Sequence, residues 1–144
     1  MIAPLSSVLL IDDMKSDNFL TTRIIRRAQI AGAVEICLSG GEGLTLLREK
    51  IAAGTPVPDL LLLDINMPGM NGWEFLHQYD ELPAAVRKNI VVCMLTTSDA
   101  EEDRALAGKY PTVRRFCTKP FTDAQLAEIL EDYFPGALDQ AGER

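Results

Sequence analysis

LLLLDINMPGMNG, residues 60–72, joins four leucines to an acid and then to a turn. A leucine run without alternation reads as a strand covered on both faces, the pattern of a parallel sheet. Asp64 follows directly, and acids are among the residues least often buried without a partner. Asn66, Pro68, Gly69, Asn71 and Gly72 then break the chain into a turn. The stretch thus sets a carboxylate at the end of the most apolar strand.

Outward from it, apolar runs recur at regular intervals. VLLI (8–11), VEICL (34–38), IVVCML (90–95) and VRRFC (113–117), with LLLL (60–63), predict five short strands. The runs at 8–11, 60–63 and 90–95 are continuously apolar and read as central. The runs at 34–38 and 113–117 carry Glu35, Arg114 and Arg115 and read as edges. Helical segments lie between. Ser39–Glu42, Ser98–Glu101 and Thr122–Gln125 fit the capping box, and Ser16 is the expected N-cap of the first helix. Leu44, Leu47 and Ile51 give the second helix an apolar face. Leu126, Ile129, Leu130, Tyr133 and Phe134 do the same for the last. The fourth helix, about 98–108, offers mainly Ala105, Leu106 and Ala107 and is expected to be loosely held. Strand–helix alternation five times over predicts an α/β, doubly wound fold with a five-stranded parallel sheet and five helices.

The 144 residues suffice for one domain with a sizeable core. Its expected bounds are 6–134, after a short N-terminal extension (1–5) and before a polar tail (135–144) that Pro135-Gly136 opens. With 47% hydrophobic and 24% charged residues the chain is globular in balance. A net charge of −7 argues against a general nucleic-acid or membrane-surface binder. No apolar run reaches membrane-span length. MIAPLSSVLLIDD lacks the basic start of a signal peptide, so the expected location is cytoplasmic. Cys37, Cys93 and Cys117 sit in apolar stretches without a CxxC and read as small buried hydrophobes. His77 is the only histidine; it has no partners for a zinc site or a triad and reads as an ordinary helix residue.

In such folds ligands bind outside the carboxyl ends of the strands. The first strand ends in Asp12-Asp13, the third in Asp64, the fourth in Thr96-Thr97-Ser98 and the fifth in Lys119-Pro120. Two like charges about 4 Å apart repel by roughly 4 kcal/mol at a surface-like dielectric. Either one carboxylate protonates or a cation joins them. Oxygen-only ligands, few and open to solvent, favour Mg²⁺ over calcium or zinc. Asp64 is then either a third metal ligand or a nucleophile that forms an acyl phosphate. Thr96 and Lys119 favour the nucleophile, because a hydroxyl donor and a fixed cation opposite a metal suit the equatorial oxygens of a phosphoryl group.

LLIDD (9–13), PDLLLLDINMPGMNGWEFL (58–76), VVCMLTTS (91–98) and FCTKPF (116–121), in this order on successive strand ends, resemble the response-regulator receiver domain of two-component systems. The likeness runs from about residue 6 to 134 and is to the single-domain, chemotaxis-regulator-like type. It implies a flavodoxin-like sheet of order 2-1-3-4-5. It implies that Asp64 is the phosphoacceptor and that Asp12 and Asp13 hold Mg²⁺, Asp13 directly and Asp12 partly through water. It further implies that the Asn66 backbone carbonyl completes the ligand set. Thr96 and Lys119 would hold the phosphoryl group, Phe116 would be the switch aromatic, and the Lys119-Pro120 bond would be cis. The donor would be a sensor histidine kinase or a histidine phosphotransfer protein. Activity beyond self-catalysed phosphotransfer and autodephosphorylation is not expected. Asn66 and Ser98, two residues past Asp64 and Thr96, are the side chains expected to tune water access during hydrolysis.

Phosphorylation is expected to turn Phe116 inward and change the face made by the fourth helix, fifth strand and fifth helix. No output segment is read after residue 134, so output is expected through an unknown downstream protein or through phosphorelay. Two other readings use the same residues. One is a pseudo-receiver that acts as an unphosphorylated interaction module. The other is a haloacid-dehalogenase-like phosphatase, which would want a second acid where Asn66 stands.

Overall fold

The computed structural model describes residues 4–97 and 105–137. Strands β1 (Leu5–Ile11), β2 (Ala31–Cys37), β3 (Leu60–Asp64), β4 (Val91–Thr96) and β5 (Val113–Thr118) form one parallel sheet in the order β2-β1-β3-β4-β5. The helices with both ends among the described residues are α1 (Lys15–Ala28), α2 (Gly40–Ala53), α3 (Gly72–Tyr79), a single turn α4 (Ala84–Arg87) and α5 (Asp123–Tyr133).

The leucine run explains how the sheet is held. Successive side chains of a strand point to opposite faces, so LLLL serves both. Leu61 and Leu63 join Leu9, Ile11 and Met94 in a core shared with Leu44 and Leu47 of α2 and Phe75, Leu76 and Tyr79 of α3. Leu60 and Leu62 join Val8, Leu10 and Leu95 in a second core with Ile25 of α1 and Leu126, Ile129 and Leu130 of α5. All four leucines are fully buried. Each contributes about 2 kcal/mol from apolar area removed from water.

The first two strands begin three residues earlier than their apolar runs suggest. Leu5 N–H donates to Ile30 O and Leu5 pairs with Ala31, so backbone pairing carries the sheet through Ser6, Ser7 and Gly32, which have no apolar pattern. The N-cap of α1 is Met14, not Ser16. Asp12 Oδ1 accepts from Met14 N–H and Asn18 N–H donates to Met14 O, so helix winding starts right behind the acidic pair. Ser39 caps α2 by accepting from Glu42 N–H, but Glu42 reaches back to Leu38 N–H rather than closing the box on Ser39. The box at Thr122–Gln125 is complete. So is a box at Asn71–Glu74 that starts α3 and that the sequence reading missed. The turn α4 was also missed, because four residues after Pro83 carry no helical period. The box at Ser98–Glu101 and most of the expected fourth helix lie outside the described residues. Residues 105–107 are helical, and Leu106 and Ala107 pack on the core beside α2 and α3.

Gly72 fixes the distance between α3 and the end of β3. Its N–H donates to Ile65 O at 2.8 Å. A Cβ there would lie 2.8 Å from Asp64 O, 2.8 Å from Met94 Cε and 3.0 Å from Ile65 Cα. Two of these three atoms are backbone and cannot swing aside. Gly72→Ala is therefore expected to lower stability by about 1–3 kcal/mol in urea unfolding. Gly41→Ala, whose Cβ would meet only Ser39 Oγ at 3.9 Å, is expected to be neutral or stabilising.

Candidate functional site

The carboxyl ends of the strands bring the chemistry together. Asp12 follows β1 and is held by its backbone: its N–H donates to Cys37 O at 3.1 Å, and its carbonyl accepts from Asn18 Nδ2 at 2.8 Å. Asp64 is the last residue of β3 and is 3% exposed. Thr96 closes β4 and is also buried. Lys119 follows β5, and its N–H donates to Thr96 O at 2.7 Å, which locks the end of the fifth strand to that of the fourth. The Lys119-Pro120 bond is cis.

Three acids converge on one ammonium. Lys119 Nζ donates to Asp12 Oδ2 at 2.8 Å and to Asp17 Oδ2 at 2.9 Å, and stands 3.3 Å from Asp64 Oδ1. Burial pulls the Lys119 pKa down, but the hydrogen bonds to Asp12 and Asp17 and the charges of Asp12 and Asp64 outweigh it, so the ammonium is held above the usual lysine range. Asp64 moves the other way. Burial, then the charge of Asp12, pushes its carboxyl up to about 6 against the opposing pull of Lys119 and of the Asn66 backbone hydrogen bond. One cation does not balance the site.

The surplus charge lies where a metal could sit. Asp12, Asp13 and Asp64 each offer a carboxylate oxygen within 4.8 Å of the others. Asp12 has both oxygens engaged, Oδ1 by Met14 N–H and Oδ2 by Lys119. Asp13 Oδ1 is buried and has no hydrogen-bond partner among the described residues. A buried acceptor left open beside two more carboxylates fits a hard divalent ion.

The remaining candidates are placed as follows. Asn66 is exposed in the turn two residues past Asp64. Phe116 is half-buried on β5 with its ring centroid 6.0 Å from that of Trp73, which in turn stacks on Tyr110 at 5.8 Å. Ser98 lies outside the described residues. His77 is exposed on α3, and Cys37, Cys93 and Cys117 are free and buried. Burial pushes their thiols up, to about 11, 12 and 11, so they stay protonated at neutral pH. Sequence reading missed Asp17, the third acid on Lys119, and Asn18, which holds the Asp12 carbonyl. Their signal is the first turn of a helix that starts directly behind Asp12-Asp13 at the rim.

Residues 8–131 match the response regulator receiver domain, and the chain belongs to this family. It is 28% identical over 134 residues to Protein PilH of Pseudomonas aeruginosa, covering 92% of this chain and 100% of that one. It is 32% identical over 101 residues to Response regulator Rcp1 of Synechocystis sp., covering 69% of this chain and 67% of that one. A solved two-component response regulator from Cytophaga hutchinsonii superposes with a TM-score of 0.82 at 34% identity, covering 90% of this chain and 96% of the other. Receiver domains are signalling modules that bind Mg²⁺ at an acidic pocket and interact with histidine kinases or phosphotransfer proteins. No helix among the described residues is long and apolar enough to cross a membrane.

The Asp64 shift has a stability consequence. Its folded pKa lies above the ordinary carboxylate value, so between about pH 4 and 6 the native state holds a proton that the unfolded chain has lost. In metal-free protein this contribution is present below pH 4 and is lost as pH rises through about 6. Asp64→Asn should flatten that part of the stability–pH curve and stabilise the metal-free protein at pH 7 by on the order of 2 kcal/mol, read by urea unfolding across pH.

Proposed function

We propose that this chain is a phosphoacceptor response regulator in which Asp64 takes a phosphoryl group from a phosphohistidine donor, a sensor kinase or a phosphotransfer protein of the cytoplasm. The convergence of Asp12, Asp13 and Asp64 with Lys119 at the strand ends carries this reading. An Asp64 oxygen attacks phosphorus, the P–N bond to imidazole breaks, and a carboxyl–phosphoryl anhydride remains on Asp64. The chain contributes position and charge rather than a dedicated base. Lys119, 3.3 Å from Asp64, bridges the carboxylate and the arriving phosphoryl group. Thr96, at the end of the neighbouring strand, donates its hydroxyl to a phosphoryl oxygen.

Asp13 would hold Mg²⁺ directly, with Asp64 and the Asn66 carbonyl. Asp12 acts partly through water, a division supported by its two occupied oxygens and by the open Asp13 Oδ1. When bound, Mg²⁺ neutralises and orients phosphoryl oxygens. Water attack on phosphorus later frees Asp64 and releases inorganic phosphate. Asn66, exposed beside the mouth, and Ser98 set how easily that water arrives.

Output is a population shift. Thr96 follows the phosphoryl oxygens, and Phe116, half-buried against Trp73, turns inward. The surface of β5, α5 and the helix that includes 105–107 then changes for a downstream protein or a relay partner. Arg115 of β5 is part of it, paired with Glu128 and Asp132 of α5.

Incubation with Mg²⁺ and acetyl phosphate, followed by intact mass, is expected to give one acid-stable, base-labile phosphoryl adduct on the wild type and none on Asp64→Asn. Asp13→Asn should need far more Mg²⁺ for the same yield. If the wild type takes no adduct from acetyl phosphate or from a phosphohistidine donor, the reading fails.

A further inference from the structure

Among the described residues, Asp17 is the acid on Lys119 that takes no part in the cluster suited to a metal. Lys119 Nζ donates to Asp12 Oδ2 at 2.8 Å and to Asp17 Oδ2 at 2.9 Å, and Asp64 Oδ1 stands off at 3.3 Å. The metal cluster is Asp12, Asp13 and Asp64, without Asp17. An ammonium has three N–H donors, and three carboxylates surround this one. A phosphoryl oxygen therefore gains a donor only where a carboxylate gives one up.

Burial decides which carboxylate yields. The side chains of Asp12 and Asp64 are each 4% exposed, and that of Asp17 is 36% exposed. Asp12 released from the lysine would stay behind as an unpaired buried charge, which is costly. Asp17 released from it turns to water, and a pair this open contributes little. The Lys119 backbone stays in place, because its N–H is bound to Thr96 O at 2.7 Å, so the motion is confined to the side chain. Asp17 owes its own position to the start of α1. Asp12 Oδ1 accepts from the N–H of Met14, the N-cap, and this puts Asp17 in the first turn.

We propose that Asp17 is a positioning residue that restrains phosphorylation at Asp64: it draws the Lys119 ammonium toward α1 in the resting protein and must release it before the lysine closes on the phosphoryl group. This rests on the reading of Asp64 as the phosphoacceptor. With acetyl phosphate as donor, an Asp64 oxygen attacks phosphorus, the P–O bond to acetate breaks, and acetate leaves with the bonding electron pair. Asp17 acts on this step through Lys119 alone. It slows the step, and its removal speeds it. An acid in a first helical turn also favours the helix dipole. That role concerns stability, and its loss gives no gain in rate.

The test follows adduct formation from acetyl phosphate at saturating Mg²⁺ by intact mass, with urea unfolding to show that each variant folds. Asp17→Asn keeps the shape and loses the charge. It is expected to take the adduct about two- to fivefold faster, the size set by an ion pair partly open to water. Asp17→Ala, at so exposed a side chain, should gain likewise. Asp17→Glu keeps the charge and should stay near the wild-type rate. A small donor needs no docking surface, so the rate reports the site itself. The second readout is the Lys119 Nζ resonance of ¹⁵N-lysine-labelled protein. In bare Asp17→Asn it should be displaced from the bare wild-type position toward that of the phosphorylated wild type. An unchanged or slower rate in Asp17→Asn and Asp17→Ala, or an equal gain in Asp17→Glu, would overturn the proposal. So would a faster rate with the lysine resonance unmoved, the result of general relief of repulsion toward the anionic donor. A wild type that takes no adduct overturns the reading of Asp64 as well, whereas an adduct on the wild type with no gain in the variants overturns the role of Asp17 alone.

Discussion

The ammonium of Lys119, shared by Asp12, Asp17 and Asp64, is the interaction on which the rest of the site depends. Each acid comes from a different part of the chain, so the lysine ties β5 to β1, to α1 and to β3 at once. The match is incomplete: three carboxylates face one cation before Asp13 is counted. A fully paired cluster would be inert. A cluster whose carboxylates outnumber its cations is suited to a divalent ion. The raised pKa of Asp64 has the same origin, since burial and the Asp12 charge outweigh the lysine.

Such a site needs a rigid base, because like charges held close together push any soft support apart. The two-sided leucine strand gives that base. Leu63 is paired with Ile11 and Met94 and sealed in the core just before Asp64. Gly72 then lets α3 start almost in contact with the Asp64 carbonyl, and the Asn71–Glu74 capping box fixes the start of that helix. Backbone hydrogen bonds, Ile65 N–H to Leu95 O and Lys119 N–H to Thr96 O, hold the neighbouring strand ends level. The acids are therefore positioned by main chain and core, not by their own attraction.

Much of this was legible in the sequence. The three unbroken apolar runs gave the central strands, and the charged runs gave the edges, because burial on both faces leaves no room for alternation. The strand ends named Asp12, Asp13, Asp64, Thr96 and Lys119 as neighbours, since a parallel sheet aligns all carboxyl ends on one rim. Less legible was whatever depends on geometry finer than periodicity. The early start of β2 at Ala31-Gly32 rests on backbone pairing that leaves no side-chain pattern. Ser16 looked like a cap by residue type, but the Asp12 side chain holds the chain entry and moves the start of α1 to Lys15. With that start, Asp17 enters the site.

The central claim is that the acidic cluster carries surplus negative charge that a divalent ion offsets. Thermal unfolding against rising Mg²⁺ at neutral pH and constant ionic strength tests it most directly. The account predicts a midpoint that climbs with Mg²⁺ for the wild type, as expected when a ligand binds only the native state, and a nearly flat response for Asp13→Asn. An equal rise in the variant, or no rise in the wild type at Mg²⁺ concentrations that saturate receiver domains in general, would contradict it.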